Sequence, residues 1–390
     1  MHMASRRGRF LLALWLSLGF LGGCTAGPPE PSPLPAPAPG TTDSLERTVL
    51  HFLEDGVTSV VVQVRWPGGE WSKAYGVRNL ATNDPASPLD RFAVGSLSKS
   101  MVAAEVLKLV AEQRLSLDGP INEALGRLAP ELKPPGIVTV RELLNHTSGL
   151  PDYSGELFRG RSLRDALQSR FSMQDGLRLA AKLPWESFNT GFFNYSESNY
   201  LALGLLIEDV RSRPLAEVLQ DDLFRPVGLG KTTLAGTDRG ARDSLHGYVM
   251  DGSDQVDVTQ AAYLVGSPAG GVVSNTADIN DFYRSLLSGR IVPPGLVREM
   301  KETGTGNYGL GLQRFSVGCA AGHRYGNTGN VFGYLSASIS SDDGGSQVTM
   351  GLALPPLPAH ADDAVVDRRI GLYASQMVSA AQETLDHLCQ

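Results

Sequence analysis

Apolar and polar residues alternate near both ends of the chain, which is the pattern of strands in an antiparallel sheet. Near the N-terminus the pattern predicts a short helix over residues 45–53, then strands over residues 57–66 and 70–77 around a Pro-Gly-Gly turn. Near the C-terminus it predicts strands over residues 331–340 and 346–355, joined by an Asp-Asp-Gly-Gly turn, and a closing helix over residues 361–388. We therefore expect strands from the two ends to complete one sheet.

The middle of the chain has helical periodicity instead. Thr139 followed by Glu142 is a capping-box pattern that opens a short helix, and Gly149 is expected to end it. Further helices are predicted over residues 199–210 and 277–287. The whole pattern predicts an α+β fold, in which an antiparallel sheet of N- and C-terminal strands is flanked by helices and carries an inserted, mostly helical subdomain at about residues 100–265.

The length and composition indicate how large a core the chain can bury, and they argue against one class of partner. The chain has 390 residues, of which 42% are hydrophobic, so it can bury a large core. The formal net charge is −7, and Lys and Arg form no long basic run interleaved with aromatic residues. We therefore expect no nucleic-acid partner.

The first 23 residues have the layout of a secretory signal peptide. Three arginines precede an apolar run that ends at Cys24, and its roughly 12 strongly apolar residues are too few to span a bilayer. The segment Leu-Gly-Gly-Cys ending at Cys24 is similar to a lipobox, which predicts a lipoprotein signal peptide and lipidation of Cys24. Plain cleavage near Ala26 with free secretion is the alternative.

A proline-rich linker over residues 24–42 follows, which cannot form a core and is expected to be extended. The folded domain is therefore expected at residues 43–390, outside the cytoplasm, and membrane-bound only through the lipid anchor. Two further cysteines, Cys319 and Cys389, would form one disulfide in an oxidising compartment. No zinc-type cluster is present in the sequence, and no metal or organic cofactor is implied.

The stretch FAVGSLSKSM places Ser96 three residues before Lys99 at the start of an apolar helical run. Three-residue spacing puts both side chains on one helix face. A lysine held beside an uncharged run is partly desolvated, which favours the neutral amine that can take the proton of a nearby serine. The helix N-terminus also favours developing negative charge.

Two other segments carry candidate chemistry. Tyr195 in FNYSESNY precedes an apolar helix and can relay a proton if it meets Ser96 and Lys99, although an ordinary core tyrosine is the alternative. In NTGNVFGY, Gly329 lets a ligand lie along the backbone, and the amide of Asn330 can pair with that of Ser96 as an oxyanion hole. The alternative interpretation of this segment is a glycine-containing turn before an edge strand.

Together these segments resemble the β-lactamase-related serine hydrolases, which include the serine D-alanyl-D-alanine carboxypeptidases and class C β-lactamases. The resemblance extends to LLNHTSGLPDY from Leu143, SPAGGVVSNTADINDF from Ser267 and YGLGL from Tyr308. The chain looks most like the secreted soluble D-alanyl-D-alanine carboxypeptidases, which also have paired cysteines before the third motif and at the C-terminus.

The resemblance implies a role for each matching residue. Ser96 would be the acylated nucleophile, Lys99 its proton acceptor and Tyr195 the proton relay, while the main-chain amides of Ser96 and Asn330 would bind the oxyanion. His146, in the segment NHTSG, belongs to a family-typical turn and is interpreted as structural. His323 is a possible edge residue of the cleft.

The motifs depart from the family at three positions. Glu197 replaces the usual asparagine of the Tyr-x-Asn motif, Asn327 replaces the Lys or His that normally opens the third motif before Thr328 and Gly329, and Gln313 stands where related carboxypeptidases carry arginine. An ionised glutamate only accepts hydrogen bonds. Glu197 is expected either to be protonated at rest or to pair with Lys99, and pairing would hinder Lys99 as a base.

These departures remove cations from a site that would otherwise hold a substrate carboxylate. The hypothesis is an extracytoplasmic, monomeric serine hydrolase of D-alanyl-D-alanine carboxypeptidase type, shifted towards neutral or amine-bearing esters, amides and D-amino-acid peptides. Peptidoglycan stem peptides and β-lactams are the other small-molecule candidates. The alternative function is a catalytically weak or inactive lipoprotein that binds cell-wall peptide or a partner.

Overall fold

A seven-stranded antiparallel sheet lies at the centre of the fold, with strand order β3-β2-β1-β12-β11-β10-β9. The computed structural model describes residues 37–157, 171–186, 189–234, 243–260, 267–304, 306–316, 322–359 and 364–389. The signal peptide, Cys24, most of the linker and Cys319 lie outside these residues, so the predictions about them, including the disulfide, stay predictions.

The described strands are β1 (Ser59–Trp66), β2 (Gly69–Asn79), β3 (Asp84–Pro85), β4 (Phe92–Ala93), β5 (Thr233–Leu234), β6 (Tyr248–Asp251), β7 (Asp254–Asp257), β8 (Val272–Ser274), β9 (Gln313–Phe315), β10 (Arg324–Val331), β11 (Tyr334–Ser340), β12 (Gln347–Ala353) and β13 (Leu357–Pro358). The described α-helices are α1 (Asp43–Glu54), α2 (Leu97–Ala111), α3 (Asn122–Leu128), α4 (Val140–Leu144), α5 (Met173–Ala180), α6 (Glu197–Arg211), α7 (Leu215–Val218), α8 (Arg225–Val227), α9 (Thr276–Leu287), α10 (Pro294–Lys301) and α11 (Ala364–Leu388). Two smaller sheets contain β13-β6-β7 and β4-β8-β5.

The two ends of the chain meet in the sheet, as the strand pattern predicts. Strand β1 pairs with β12 from Ser59 opposite Ala353 to Arg65 opposite Gln347. Alternate residues of β1 face opposite sides, because side chains in a strand repeat every two residues. Val60, Val62 and Val64 pack with α1 and α11, whereas Val61 packs in the core that contains α2. The α+β fold expected from the sequence is therefore confirmed.

Helix α2 is buried on nearly every side, with 12 of its 15 residues buried. It contacts α6 and strand β10, so it lies between the helical part of the chain and the sheet. Its buried Glu105 pairs with Arg211 of α6, with Arg211 Nη2 2.6 Å from Glu105 Oε1. A buried charge needs such a partner, and this pair links the two helices that carry the candidate site.

Two local predictions need correction, and one is confirmed. The strand predicted over residues 331–340 is divided, because Gly333 adopts a φ of +77° and turns the chain between β10 and β11. The helix opened by Thr139 ends at Leu144 rather than at Gly149. Its capping box is present, with the Thr139 side chain accepting from the Glu142 amide and the Glu142 side chain accepting from the Thr139 amide.

No helix in the described part of the chain combines the length and the apolar character needed to cross a membrane.

Candidate active site

Ser96 lies at the N-terminus of α2, where the chain leaves a tight turn. Gly95 before it has a φ of +56°, and a Cβ atom at this position would lie 2.8 Å from the amide nitrogen of Asn330. Glycine is therefore required both by the left-handed backbone and by the close approach of β10. The turn places Ser96 at the N-cap of a 15-residue helix, where the helix dipole favours negative charge on its oxygen.

The amine of Lys99 lies directly beside Ser96. Its Nζ atom is 3.0 Å from Ser96 Oγ, 2.7 Å from Glu197 Oε2 and 2.7 Å from the carbonyl oxygen of Ala269. The side chain is completely buried. The one-face spacing expected from the sequence thus brings amine and hydroxyl together, and the expected pairing with Glu197 is present.

Tyr195 supplies a second contact to the serine. Its hydroxyl donates to Ser96 Oγ at 2.9 Å, and its ring lies over the Lys99 amine, 5.0 Å from Nζ to the ring centroid. Burial, and then the nearby carboxylate of Glu197, raise the pKa of Tyr195 well above its ordinary value. The phenol therefore stays protonated and can donate its hydrogen.

Glu197 is the first residue of α6, and its side chain is 25% exposed. Burial raises the pKa of Glu197, and the charge of Lys99 opposes this shift. Hydrogen bonding with Tyr195 also lowers the Glu197 pKa. Four polar groups, from Ser96, Lys99, Tyr195 and Glu197, thus form one continuous network.

Strand β10 brings its backbone against the turn that holds Ser96. A Cβ atom on Gly329 would lie 2.1 Å from the Val94 oxygen and 3.0 Å from the Ser96 amide nitrogen. Only glycine allows this approach. The amides of Ser96 and Asn330 consequently lie on neighbouring segments, as an oxyanion hole requires.

Three residues expected to bind substrate, Asn327, Thr328 and Gln313, differ in their burial. Asn327 is 3% exposed, and its side-chain amide contacts Ser100 Oγ and the Tyr308 hydroxyl, both at 3.4 Å. Thr328 and Gln313 are absent from the described residues that line the cleft. Asn330 of the same strand does line the cleft, and the expected substrate-binding roles of Asn327, Thr328 and Gln313 stay predictions.

His146, interpreted from its motif as a structural turn residue, lies against Tyr195. Its ring stacks on Tyr195, with centroids 4.2 Å apart. The Ser196 amide donates to its Nδ1 at 3.2 Å, and the Asn199 side-chain amide lies 3.1 Å from the same atom. Burial, and then the charge of Lys99, lower the pKa of His146 well below its ordinary value. A neutral imidazole therefore supports the Tyr195 ring.

The only sequence signal for His146 was its place in the segment NHTSG, which by itself indicates a turn. Its φ of +59° confirms an unusual backbone there. His323, the suggested edge residue, is absent from the described residues that line the cleft.

A cleft of about 510 Å³ opens in front of Ser96. Its apolar lining residues include Leu157, Val249, Val331, Phe332, Leu354 and Ile370. Three carboxylates also line the cleft, from Asp152, Glu197 and Asp367, while no Lys or Arg side chain does so among the described residues. In the same ranges, no group of three His, Cys, Asp or Glu side chains is arranged to hold a metal ion.

A family model described as Beta-lactamase matches residues 45–346, which is most of the chain. The chain belongs to the beta-lactamase family. Among curated members, Protein flp of Staphylococcus aureus (strain MW2) is 27% identical over 226 residues, covering 56% of this chain and 43% of flp. The match thus spans less than half the length of that relative.

Solved structures of this beta-lactamase fold agree over nearly the whole described chain. A D-stereospecific amidohydrolase from Streptomyces sp. matches with a TM-score of 0.73 at 25% identity, covering 87% of this chain and 98% of that one. A D-amino acid amidase from Ochrobactrum anthropi SV3 matches with a TM-score of 0.74 at 21% identity, covering 90% and 98%. Both matches agree with the fold of the beta-lactamase family.

Proposed function

We propose that this protein is a serine hydrolase that forms an acyl-enzyme on Ser96 and prefers neutral or amine-bearing amides and esters, such as D-amino-acid amides. The observation that carries this proposal is the contact of Ser96 Oγ with both the Lys99 amine, at 3.0 Å, and the Tyr195 hydroxyl, at 2.9 Å. A serine with a base on one side and a proton relay on the other is equipped for acyl transfer.

The proposed reaction has two halves. Ser96 Oγ attacks the substrate carbonyl while its proton leaves towards Lys99, and the oxyanion is held by the amides of Ser96 and Asn330. The bond to the leaving group then breaks, and Tyr195 delivers a proton to that group. Water attacks the acyl-enzyme in the second half, using the same groups in reverse.

The charge of the cleft supports the substrate class. Glu197 is paired with Lys99, but Asp152 and Asp367 also line the cleft, and no Lys or Arg side chain lines it among the described residues. Two unit charges 4 Å apart near a protein surface interact with about 4 kcal/mol, so a substrate carboxylate is disfavoured and an ammonium group favoured. The names of the amidohydrolase and the D-amino acid amidase described above agree with this class.

The test compares three substrates on the purified domain: a short neutral acyl ester, a D-amino-acid anilide with a free amine and a bisacyl-D-Ala-D-Ala peptide. We expect kcat/KM to be lowest for the peptide, which carries the carboxylate. Fastest turnover of the peptide would contradict the proposed preference and would favour the D-alanyl-D-alanine carboxypeptidase assignment.

Covalent labelling tests the acyl-enzyme separately. We expect a fluorescent fluorophosphonate or penicillin to label the wild-type protein covalently. The Ser96→Ala variant should not be labelled. If the folded wild-type protein takes neither label, the hydrolase proposal fails and a binding protein becomes the better reading.

We further propose that the protein is exported and held outside the cytoplasm by a lipid on Cys24. This proposal is supported by the apolar N-terminal run and the Leu-Gly-Gly-Cys segment. In a full-length expression experiment, Cys24→Ala should move the protein out of the membrane fraction; an unchanged distribution would exclude the anchor.

A further inference from the structure

The surroundings of Lys99 leave its protonated form fully satisfied. An ammonium group has three N–H bonds, and three oxygen atoms lie within 3.0 Å of Nζ, from Ser96, Glu197 and Ala269. The contact with Glu197 Oε2, at 2.7 Å, is a salt bridge. A lysine in this state has no lone pair with which to accept the serine proton, so it must first release a proton of its own.

The group placed to receive that proton is the carboxylate of Glu197. Its Oε2 atom touches Nζ directly, and its carboxyl group also interacts with the Tyr195 hydroxyl. Ala269 contributes a carbonyl oxygen, which is far too weak a base for this purpose. Of the three oxygens around Nζ, only that of Glu197 can take a proton and keep it.

We propose, on the basis of the function proposed above, that Glu197 is the final acceptor of the Ser96 proton and stores it between the two halves of acylation. As the bond from Ser96 Oγ to the acyl carbon forms, the Ser96 proton passes to Lys99, and Lys99 passes one of its own protons to Glu197. When the bond to the leaving group breaks, Tyr195 gives its proton to that group and is reprotonated by Glu197. The loop then returns to its starting protonation, and no outside acid or base is needed.

The groups around Glu197 shift its pKa in opposite directions, which suits a carboxyl group that must both accept and release a proton. Burial, the main influence, raises its pKa and favours the neutral carboxyl, and Asp152 acts in the same direction. Lys99 and Tyr195 lower the pKa, and the N-terminus of α6 favours the carboxylate as well. Among the described residues, Tyr153 and Tyr200 also interact with Glu197, and burial raises the pKa of both phenols, so they stay uncharged.

A purely electrostatic or structural role for Glu197 predicts the opposite result. If the carboxylate only holds Lys99 in its charged form, its removal frees a neutral amine and accelerates attack by Ser96. If the carboxylate accepts the proton, its removal slows attack. The sign of the effect therefore separates the two roles.

The experiment measures the rate at which a fluorophosphonate labels Ser96 in wild type, Glu197→Gln and Glu197→Asp, from pH 5 to 9. This probe carries neither an amine nor a carboxylate, so the result does not depend on the proposed substrate preference. We expect labelling of Glu197→Gln to fall by roughly 100-fold or more at neutral pH. We also expect its remaining rate to rise with pH, whereas Glu197→Asp should recover part of the wild-type rate and its pH profile.

Glu208→Gln is the matched control. It makes the same change on the same helix, at a residue whose carboxylate accepts from the Leu215 amide at 2.8 Å, away from the cleft. Its labelling rate should equal that of wild type. A Glu197→Gln protein that is labelled as fast as wild type, or faster, overturns the proposal. Absence of label on wild type itself overturns the hydrolase function as well, which keeps the two failures distinct.

Discussion

Ser96 and Lys99 show how much a short spacing can reveal. Both lie within one turn of α2, so the sequence alone predicted that their side chains share a face, and their 3.0 Å contact follows from that local geometry. The partner of Lys99 is different, because Glu197 lies 98 residues along the chain. Its approach was suggested only by a family resemblance. The stacking of His146 on Tyr195 also joins two residues that are distant in sequence, and the sequence did not predict it.

Replacement of Lys99 by arginine tests whether position 99 must release a proton. Arginine keeps the charge beside Glu197 but does not deprotonate in proteins. We expect Lys99→Arg to lower the labelling rate of Ser96 by roughly 10²- to 10⁴-fold. Circular dichroism should show that the variant is folded. A folded Lys99→Arg protein with near-normal labelling would rule out proton transfer through this residue.

His146 should make stability depend on pH. The unfolded chain protonates this histidine below about pH 6.5, whereas the folded state resists, because burial lowers its pKa. The unfolded state then binds more protons, so this residue's contribution to the free energy of unfolding falls as pH drops below about 6.5, by up to about 1.4 kcal/mol per pH unit.

The comparison is His146→Asn, because asparagine tolerates the left-handed backbone at φ +59°. Urea unfolding at pH 7.5 and pH 5.5 should show a smaller difference in the variant than in wild type. An identical difference in the two proteins would show that His146 is protonated as readily in the folded state as in the unfolded state.

At the scale of elements, local signals were predictable and close approaches were not. The Thr139 capping box and the hairpin turn between β1 and β2 depend on residues next to each other in sequence, and both form as expected. The turn at Gly333 was missed because the surrounding apolar residues read as one continuous strand. The contact of Gly329 with the turn before α2 depends on two distant segments, so sequence could suggest that approach but not its distance.

Gly329→Ala should damage both stability and activity. Its new Cβ atom would lie 2.1 Å from the Val94 oxygen, which is backbone and cannot move aside alone. Strand β10 would have to shift away from Ser96, so we expect a lower melting temperature and a large fall in kcat, because removal of one oxyanion donor alone costs about 10²- to 10³-fold.

Gly126→Ala in α3 is the matched control, because a Cβ atom there meets nothing within 4 Å. Alanine in a helix interior is favoured over glycine by roughly 1 kcal/mol, so this variant should be as stable as wild type or slightly more stable, with unchanged kcat. Equal behaviour of the two variants would contradict the close approach of β10.

At the scale of the whole molecule, the C-terminal helix covers one face of the central sheet. Tyr373, Met377 and Leu385 of α11 are buried against the sheet, together with Phe52 of α1. Removing residues 364–390 would expose this apolar face to water. We expect the truncated protein to lose cooperative thermal unfolding and all Ser96 labelling. A truncated protein that melts cooperatively would show that the sheet is stable without this cover.

The fold class followed from the alternating patterns at the two ends of the chain, whereas the strand order could not be read from them. Strand β1 lies between β2, its neighbour in sequence, and β12, which comes from the far end. Pairing between strands so distant in sequence requires the closure of a very long loop before the new contacts can stabilise it. Such pairing therefore forms slowly. On the ribosome, the first strand therefore waits for a partner that is among the last segments to be synthesised. A nascent chain that lacks β12 therefore contains Ser96 and Lys99 but not the strand that pairs with β1, so the central sheet is completed only late in synthesis.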